Sequence, residues 1–249
     1  MIPYVEWTHF NIGPLTIQVW GMMVALGIIA AAFAATRLAK ERGQKPEIIW
    51  DMTFWVILGG FFMARVFVVL FYEPEFYFAD PVQIFRIWEG GWSSVGGFLG
   101  GAVVALFYLR KKQVDVHAYA DTTMFGIPVG LFIGRIGCFL IHDHPGTATD
   151  FILGVKYPDG VVRHDLGLYL SINGLLMFLV FLFLLKRKAK SGTFLVVGLI
   201  WYGVARFLLD FLRATEGPIV DTRYFSLTPA QYASIVMVAL GLWLWKKRK

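Results

Sequence analysis

The chain has 249 residues, of which 57% are hydrophobic, 17% aromatic and only 16% charged, whereas a soluble domain carries roughly 25% charged residues. The apolar excess runs the whole length, which argues against both an ordinary water-soluble enzyme and a disordered chain, and the single cysteine, Cys138, excludes an intramolecular disulfide and a thiolate zinc cage. The net charge of +6 says little about a partner until the basic residues are placed relative to a membrane.

Seven apolar stretches have the roughly 17–25 residues needed to cross a hydrocarbon core about 30 Å thick. They are Leu15–Ala35, Thr53–Tyr72, Ser93–Leu109, Tyr119–Ile141, Leu166–Leu185, Thr193–Leu212 and Pro229–Trp245. All are continuously apolar and lack the period-two alternation of a lipid-facing strand. The expected fold is therefore an all-α integral membrane protein of about seven transmembrane helices, one domain over residues 1–249. No Lys or Arg precedes the first span, so it is expected to stay and not to be cleaved as a signal peptide.

Lysines and arginines alternate between the two sides. Arg37, Lys40, Arg42 and Lys45, then Arg110, Lys111 and Lys112, then Lys186, Arg187, Lys188 and Lys190, and finally Lys246, Lys247, Arg248 and Lys249 fall on one side. The opposite side holds Arg86, Lys156, Arg163 and Arg223 amid Glu73, Glu75, Asp80, Glu89, Asp143, Asp150, Asp159, Asp165, Glu216 and Asp221. The positive-inside bias then puts the N-terminus outside and the C-terminus in the cytoplasm. It also accounts for the basic clusters without nucleic acid, which is not expected as a partner. The two longest outer connections, Glu73–Trp92 and His142–Asp165, are rich in aromatic, Gly and Pro residues and are expected to form a small periplasmic cap.

Four arginines remain, Arg65, Arg135, Arg206 and Arg213, all within spans or at their outer ends. An arginine at a helix centre costs roughly 2.5–3.5 kcal/mol on insertion scales, so such a residue generally faces a partner, an aqueous cavity or an anion. Asp210 lies at i+4 from Arg206, on the same helical face, and Arg213 follows at i+7, near enough to the surface to snorkel. Arg135 sits in Gly134-Arg135-Ile136-Gly137-Cys138-Phe139 behind Gly126 and Gly130, a line that allows close helix approach. Gly96-Gly97-Phe98-Leu99-Gly100-Gly101 reads either as the same kind of packing or as room for a bulky ligand. Arginines converging from separate spans would clamp a phosphate through charge-assisted hydrogen bonds, and in a bilayer the abundant phosphate is a phospholipid headgroup.

After the fourth span comes His142-Asp143-His144-Pro145-Gly146. Imidazole titrates near neutrality and a carboxylate can orient it, so His142 and Asp143 are candidate bases. The same residues read alternatively as an exposed polar loop or as two metal ligands. With no further ligand set at a suitable spacing, no metal or other cofactor is expected. Cys138 has no adjacent Lys or His and reads as a buried structural thiol.

The order of motifs along nearly the whole chain resembles the bacterial prolipoprotein diacylglyceryl transferases. The resemblance is carried by Ile12-Gly13-Pro14-Leu15 leading into Trp20-Gly21-Met22-Met23, by Ala64-Arg65 with Phe71-Tyr72, and by Trp88-Glu89-Gly90-Gly91-Trp92-Ser93. It continues through Gly96-Gly97-Phe98-Leu99-Gly100, Gly134-Arg135-Ile136-Gly137-Cys138-Phe139 with Asp143 and Gly146, then Tyr202-Gly203, Arg206-Phe207, Asp210-Phe211, Arg213, Thr228 and Gln231. It implies an enzyme of the bacterial cytoplasmic (inner) membrane that moves the diacylglyceryl group of phosphatidylglycerol to the cysteine thiol of a preprolipoprotein lipobox peptide. Carried over by position, Arg135 and Arg206 hold the phosphate, Asp143 and Gly146 shape the site, and Arg65, Gly96, Gly97 and Asp210 complete the substrate-binding set. The sequence departs from the family pattern at Val95, Cys138 and Trp20, where the family usually has histidine, asparagine and tyrosine. That departure motivates a second reading, a phospholipid-binding protein on the same scaffold. Intramembrane arginines also suit a third, an anion transporter or channel.

Overall fold

The computed structural model describes residues 1–86, 90–214 and 223–248, so Trp88, Glu89, Glu216, Asp221 and Lys249 lie outside the described residues. It is mostly helical, and five helical stretches are long and apolar enough to cross a membrane: Val19–Glu41, Pro46–Tyr72, Val116–Ile141, Leu166–Lys186 and Thr193–Leu212. The chain is thus a multi-pass, largely α-helical membrane protein. Its contacts divide into two units, Met1–Leu38 with the chain from Ala120 onward, and Ala39–Tyr119.

The first unit opens with β1 (Ile2–Pro3), β2 (His9–Ile12) and β3 (Leu15–Gln18), followed by α1 (Val19–Glu41). The expected first span is displaced here, because Leu15 to Gln18 pair antiparallel with His9 to Ile12 and the helix starts only at Val19. The reason is local: Gly13, at φ +58°, makes the turn before Pro14, and Leu15-Thr16-Ile17-Gln18 alternates with period two.

In the second unit, α2 (Pro46–Phe67) starts earlier than Thr53, with Pro46 in its first turn and Glu47 beside it where the helix dipole favours a carboxylate. It runs on through one π turn, in which Glu73 N–H donates to Val68 O at 3.0 Å. After α3 (Pro74–Ala79) and a short 3₁₀ turn at Pro81–Phe85 comes α4 (Ser94–Lys111), 18 residues long, N-capped by the Ser93 hydroxyl at Gly96 N–H. Helices α2 and α4 touch along glycines: a Cβ on Gly96 would lie 2.6 Å from Met63 O, and one on Gly100 would lie 2.8 Å from Gly59 O. Lipid gives no hydrophobic drive between helices, so such close backbone approach is what holds them.

The same device recurs in the first unit where α5 (Val116–Ile141) crosses α1. A Cβ on Gly130 would meet Ala31 Cβ and Gly27 O at 3.0 Å, and one on Gly126 would strike the Ala31 carbonyl. Then follow β4 (Pro145–Ala148), β5 (Val155–Lys156), β6 (Val162–Asp165), α6 (Leu166–Lys186), α7 (Thr193–Leu209) and α8 (Pro229–Lys247). The strands form a four-stranded sheet in the order β1-β5-β6-β4, with β1 parallel to β5 and the other pairs antiparallel. The membrane part is helical as expected, and the cap expected of the His142–Asp165 connection folds as a small sheet with the N-terminus as an edge strand, because its polar, glycine-punctuated backbone needs partners that no helix supplies.

Gly126→Val is expected to lower the unfolding midpoint in detergent by an amount equivalent to about 1–3 kcal/mol of overpacking. Gly134→Ala, one Cβ added into open space in the same helix, is expected not to lower it. Thermal unfolding of the two variants checks the pair.

Candidate functional site

Arg65, on α2, is buried at 7% exposure. Its Nε donates to Ile84 O at 3.1 Å, Nη1 to Gly90 O and Gly91 O, and Nη2 to Gln83 O at 2.6 Å and Arg86 O at 3.4 Å, with the guanidinium over the rings of Tyr77 and Trp92. All five donors of the side chain meet carbonyls. Expected as a substrate ligand, Arg65 instead pins the connection after α3, and has no donor left for a phosphate. Gly96 is likewise taken up by packing, whereas a Cβ on Gly97 would be in ordinary contact, 3.7 Å from Ala64 Cβ and Gly60 O.

The other arginines gather in the first unit. Arg206, in the last turn of α7, is 8% exposed, and its Nη2 lies 3.0 Å from Asp210 Oδ1, a charge contact off the hydrogen-bonding direction. Asp210 also faces Arg213 Nη1 at 3.9 Å and accepts from the Thr228 hydroxyl. Thr228 in turn caps α8 in a capping box with Gln231, whose amide donates to Phe207 O at 3.2 Å. Asp210, Thr228 and Gln231 are all 0% exposed. A turn of the chain thus delivers a carboxylate to the arginines and ties it to the next helix.

Arg135, on α5, is half-buried and lies within electrostatic reach of Arg206; its Nη1 donates to Cys138 Sγ at 3.7 Å, and Tyr202 of α7 hydrogen-bonds it. It forms no ion pair among the described residues. Arg206 Nη1 is buried and has no hydrogen-bond partner among them either. Beside Arg135, the Cβ position of Gly134 opens onto empty space. Arg135 without an ion pair among the described residues, next to an Arg206 whose carboxylate partner, Asp210, also faces Arg213, leaves a positive site that an anion would complete.

The His-Asp-His triplet is split. His142 adopts φ +49°, turning its ring inward to 6% exposure, stacked 4.2 Å from Tyr4 and edge-on to Phe139 and Tyr157. Its Nδ1 is 2.7 Å from Asp165 Oδ2, which also accepts from the Tyr157 hydroxyl at 3.1 Å, while Asp165 Oδ1 caps α6 at Leu168 N–H. Burial and the neighbouring carboxylate push the Tyr157 phenol up, keeping it a donor. His142, expected as a base, is thereby enclosed among the cap residues, its Nε2 buried without a hydrogen-bond partner among the described residues. Asp143 and His144 are partly exposed, at 29% and 23% of their side chains, with Oδ1 and Nδ1 buried 2.6 Å apart, and Asp143 lies within electrostatic reach of Cys138. Gly146 is buried where β4 bridges Arg213; a Cβ there would lie 2.5 Å from Leu212 O and 2.8 Å from His164 Cβ. It lets the loop from His142 to Gly146 reach the turn that carries Arg213.

Cys138 is buried and free, bonded by Arg135 and by the Trp20 side chain, so two of the departures from the family pattern touch one another. Tyr202, Thr228 and Gln231 belong to the motifs with no role legible in the sequence, Asp165 is legible only as an outer-side acid, and Tyr157 carries no sequence signal. The signal for Asp165 was its place directly before an apolar run, where an N-cap belongs. Among the described residues no group of three or more His, Cys, Asp or Glu is gathered to hold a metal.

A multi-pass helical membrane protein with arginines converging on a shared buried carboxylate is the class that fold and site define. Comparison with known proteins narrows it. The family model for prolipoprotein diacylglyceryl transferase matches residues 8–246. The chain is similar to the phosphatidylglycerol–prolipoprotein diacylglyceryl transferase of Geobacter sulfurreducens, 32% identical over 250 residues covering 96% of this chain and 94% of that one. It is 33% identical to that of Solidesulfovibrio magneticus, covering 99% and 96%, and 29% identical to that of Staphylococcus saprophyticus, covering 97% and 88%. The chain belongs to the prolipoprotein diacylglyceryl transferase family and is a membrane transferase.

Two outcomes are expected of the site's surroundings. Asp210→Ala, which leaves Arg206 buried without its carboxylate, is expected to cost about 3–5 kcal/mol of stability, read as a lowered unfolding midpoint, with Thr228→Val costing less. Burial holds the His164 imidazole below its usual value of 6.5, so the unfolded cap binds a proton that the folded cap resists. Cap stability is therefore full above pH 6.5 and falls as pH drops through that value. Hydrogen exchange of the β6 amides, corrected for intrinsic rate, is expected to quicken between pH 7.5 and pH 5.5, and His164→Gln to flatten the change.

Proposed function

We propose that this protein transfers the diacylglyceryl group of phosphatidylglycerol to the lipobox cysteine of a preprolipoprotein in the bacterial inner membrane. It does so as a seven-span protein with its N-terminus outside, its C-terminus cytoplasmic and its sheet on the periplasmic side. The shorter helices α4 and α8, at 18 and 19 residues, complete the count; they are about 27 and 29 Å long at 1.5 Å per residue, close to the hydrocarbon thickness.

The observation that carries the reading is the buried, unpartnered Arg206 Nη1 within electrostatic reach of an Arg135 that has no ion pair among the described residues. In the reaction the substrate's thiolate attacks a glycerol carbon, a C–S bond forms, and the C–O bond to the phosphate breaks. Glycerol phosphate leaves with the electron pair. Arg135 and Arg206 stabilise the charge that grows on the departing phosphate, and Asp210 fixes Arg206 so that this costs no reorganisation. A thiol with pKa near 8.5 is mostly protonated at neutral pH. Asp143 with His144 takes its proton, since both side chains are partly exposed and His142 is enclosed. Gly146 keeps their loop against the arginine-bearing turn.

Purified protein given phosphatidylglycerol and a lipobox peptide is expected to add the mass of diacylglycerol to the peptide cysteine. Arg206→Ala is expected to lower kcat/KM about 10²–10³-fold, and Asp143→Asn to lower kcat more than it raises KM. Bound anionic lipid without any mass gain would favour the phospholipid-binding reading instead, and anion flux in vesicles the transporter.

A further inference from the structure

At the lysine-rich end of α7 and α8 a groove of about 720 Å³ opens on the surface of the bundle, within the ~300–1,000 Å³ typical of small-molecule pockets. Lys190 and Arg248 stand at its mouth, and Val197, Ile200, Trp201 and Trp245 form its walls. Arg248 is held in place. Its Nη2 donates to Ser191 O at 2.8 Å and to Thr193 Oγ1 at 3.0 Å, so the guanidinium lies across Gly192, where φ is +83° and a Cβ would come 3.3 Å from Arg248 Nε. Its Nη1 and Nε have no hydrogen-bond partner among the described residues and remain as donors. Residues 186–200 and 241–248 hold seven lysines and arginines and neither Asp nor Glu. The carboxylate that faces this helix start from α5, Asp121, is fully buried and spent on Leu195 N–H at 2.7 Å.

The mouth is thus cationic, and behind it the wall from Thr193 to Trp201 runs apolar for about 12 Å along the helix. A cationic rim above an apolar slot, edged by the amphipathic ring of Trp245, matches a molecule with one phosphate and a hydrocarbon tail. We propose that this groove binds one anionic phospholipid of the adjacent leaflet, which is the cytoplasmic one in the orientation given above. The phosphate sits between Lys190 and Arg248, and an acyl chain lies along Val197, Ile200 and Trp245. The lipid bridges the turn before α7 to the end of α8, and α7 carries Arg206 at its other end. The site is separate from the arginine cluster and stands whether or not that cluster is catalytic.

Tryptophan fluorescence tests it in vesicles containing brominated phosphatidic acid or brominated phosphatidylcholine, using the difference between the wild-type chain and Trp245→Phe to isolate the groove. Phosphatidic acid is expected to quench this signal with an apparent affinity about fivefold or more above that of phosphatidylcholine, on the scale of one basic contact. Lys190→Glu is expected to bring the two lipids level, whereas Lys40→Glu, the same charge change on the exposed end of α1, leaves the preference intact. Equal quenching by both lipids in the wild type, no quenching, or equal loss in both variants would overturn the proposal.

Discussion

A guanidinium ion cannot be left in hydrocarbon without oxygen acceptors or an anion, and the positions of Arg65, Arg135 and Arg206 are three answers to that constraint. Arg65 is satisfied by carbonyls alone, so that a connection is organised around its charge. Arg206 is met by Asp210, which Thr228 and the start of α8 hold from behind. Arg135 has a thiol and a phenol for neighbours, and both are weaker partners for a cation than a carboxylate. The electrostatic deficit is thereby concentrated at one place, around Arg135 and Arg206 Nη1.

Glycine has two separate uses around that place. Along α1 and α5 it removes side-chain bulk so that helices approach without a hydrophobic force to press them together. At Gly146 it lets a β-bridge form against the backbone of Arg213, so the sheet and the arginine-bearing turn share an edge. A neighbouring loop residue without that freedom, His142, nevertheless takes a positive φ. Its Asp165 partner and three aromatic rings compensate for a strained conformation that asparagine or glycine would adopt more readily.

The arginines of the family motifs are retained in this chain, while the positions at Val95, Cys138 and Trp20 are less like the family pattern. Trp20 and Cys138 bond each other on facing helices, and Val95 offers no proton acceptor. The acid–base pair proposed above, Asp143 and His144, lies instead on the loop between α5 and the sheet.

Membrane residence, the helical runs and the four anomalous arginines were determined by the sequence alone, because hydropathy and the cost of a charge in lipid depend on composition and spacing and not on neighbours. The i+4 pairing of Arg206 with Asp210 was legible for the same reason: one helix fixes it. What the sequence could not decide was where each polar side chain points once backbones pack. Arg65 and Arg206 look alike in sequence, yet one is filled by carbonyls from residues 18 to 26 positions away and the other keeps a free donor. The inward turn of His142, its pairing with Asp165 and the sheet that joins residue 2 to residue 155 likewise depend on long-range contacts. Only the tertiary structure brings those groups within the few ångströms over which a hydrogen bond acts.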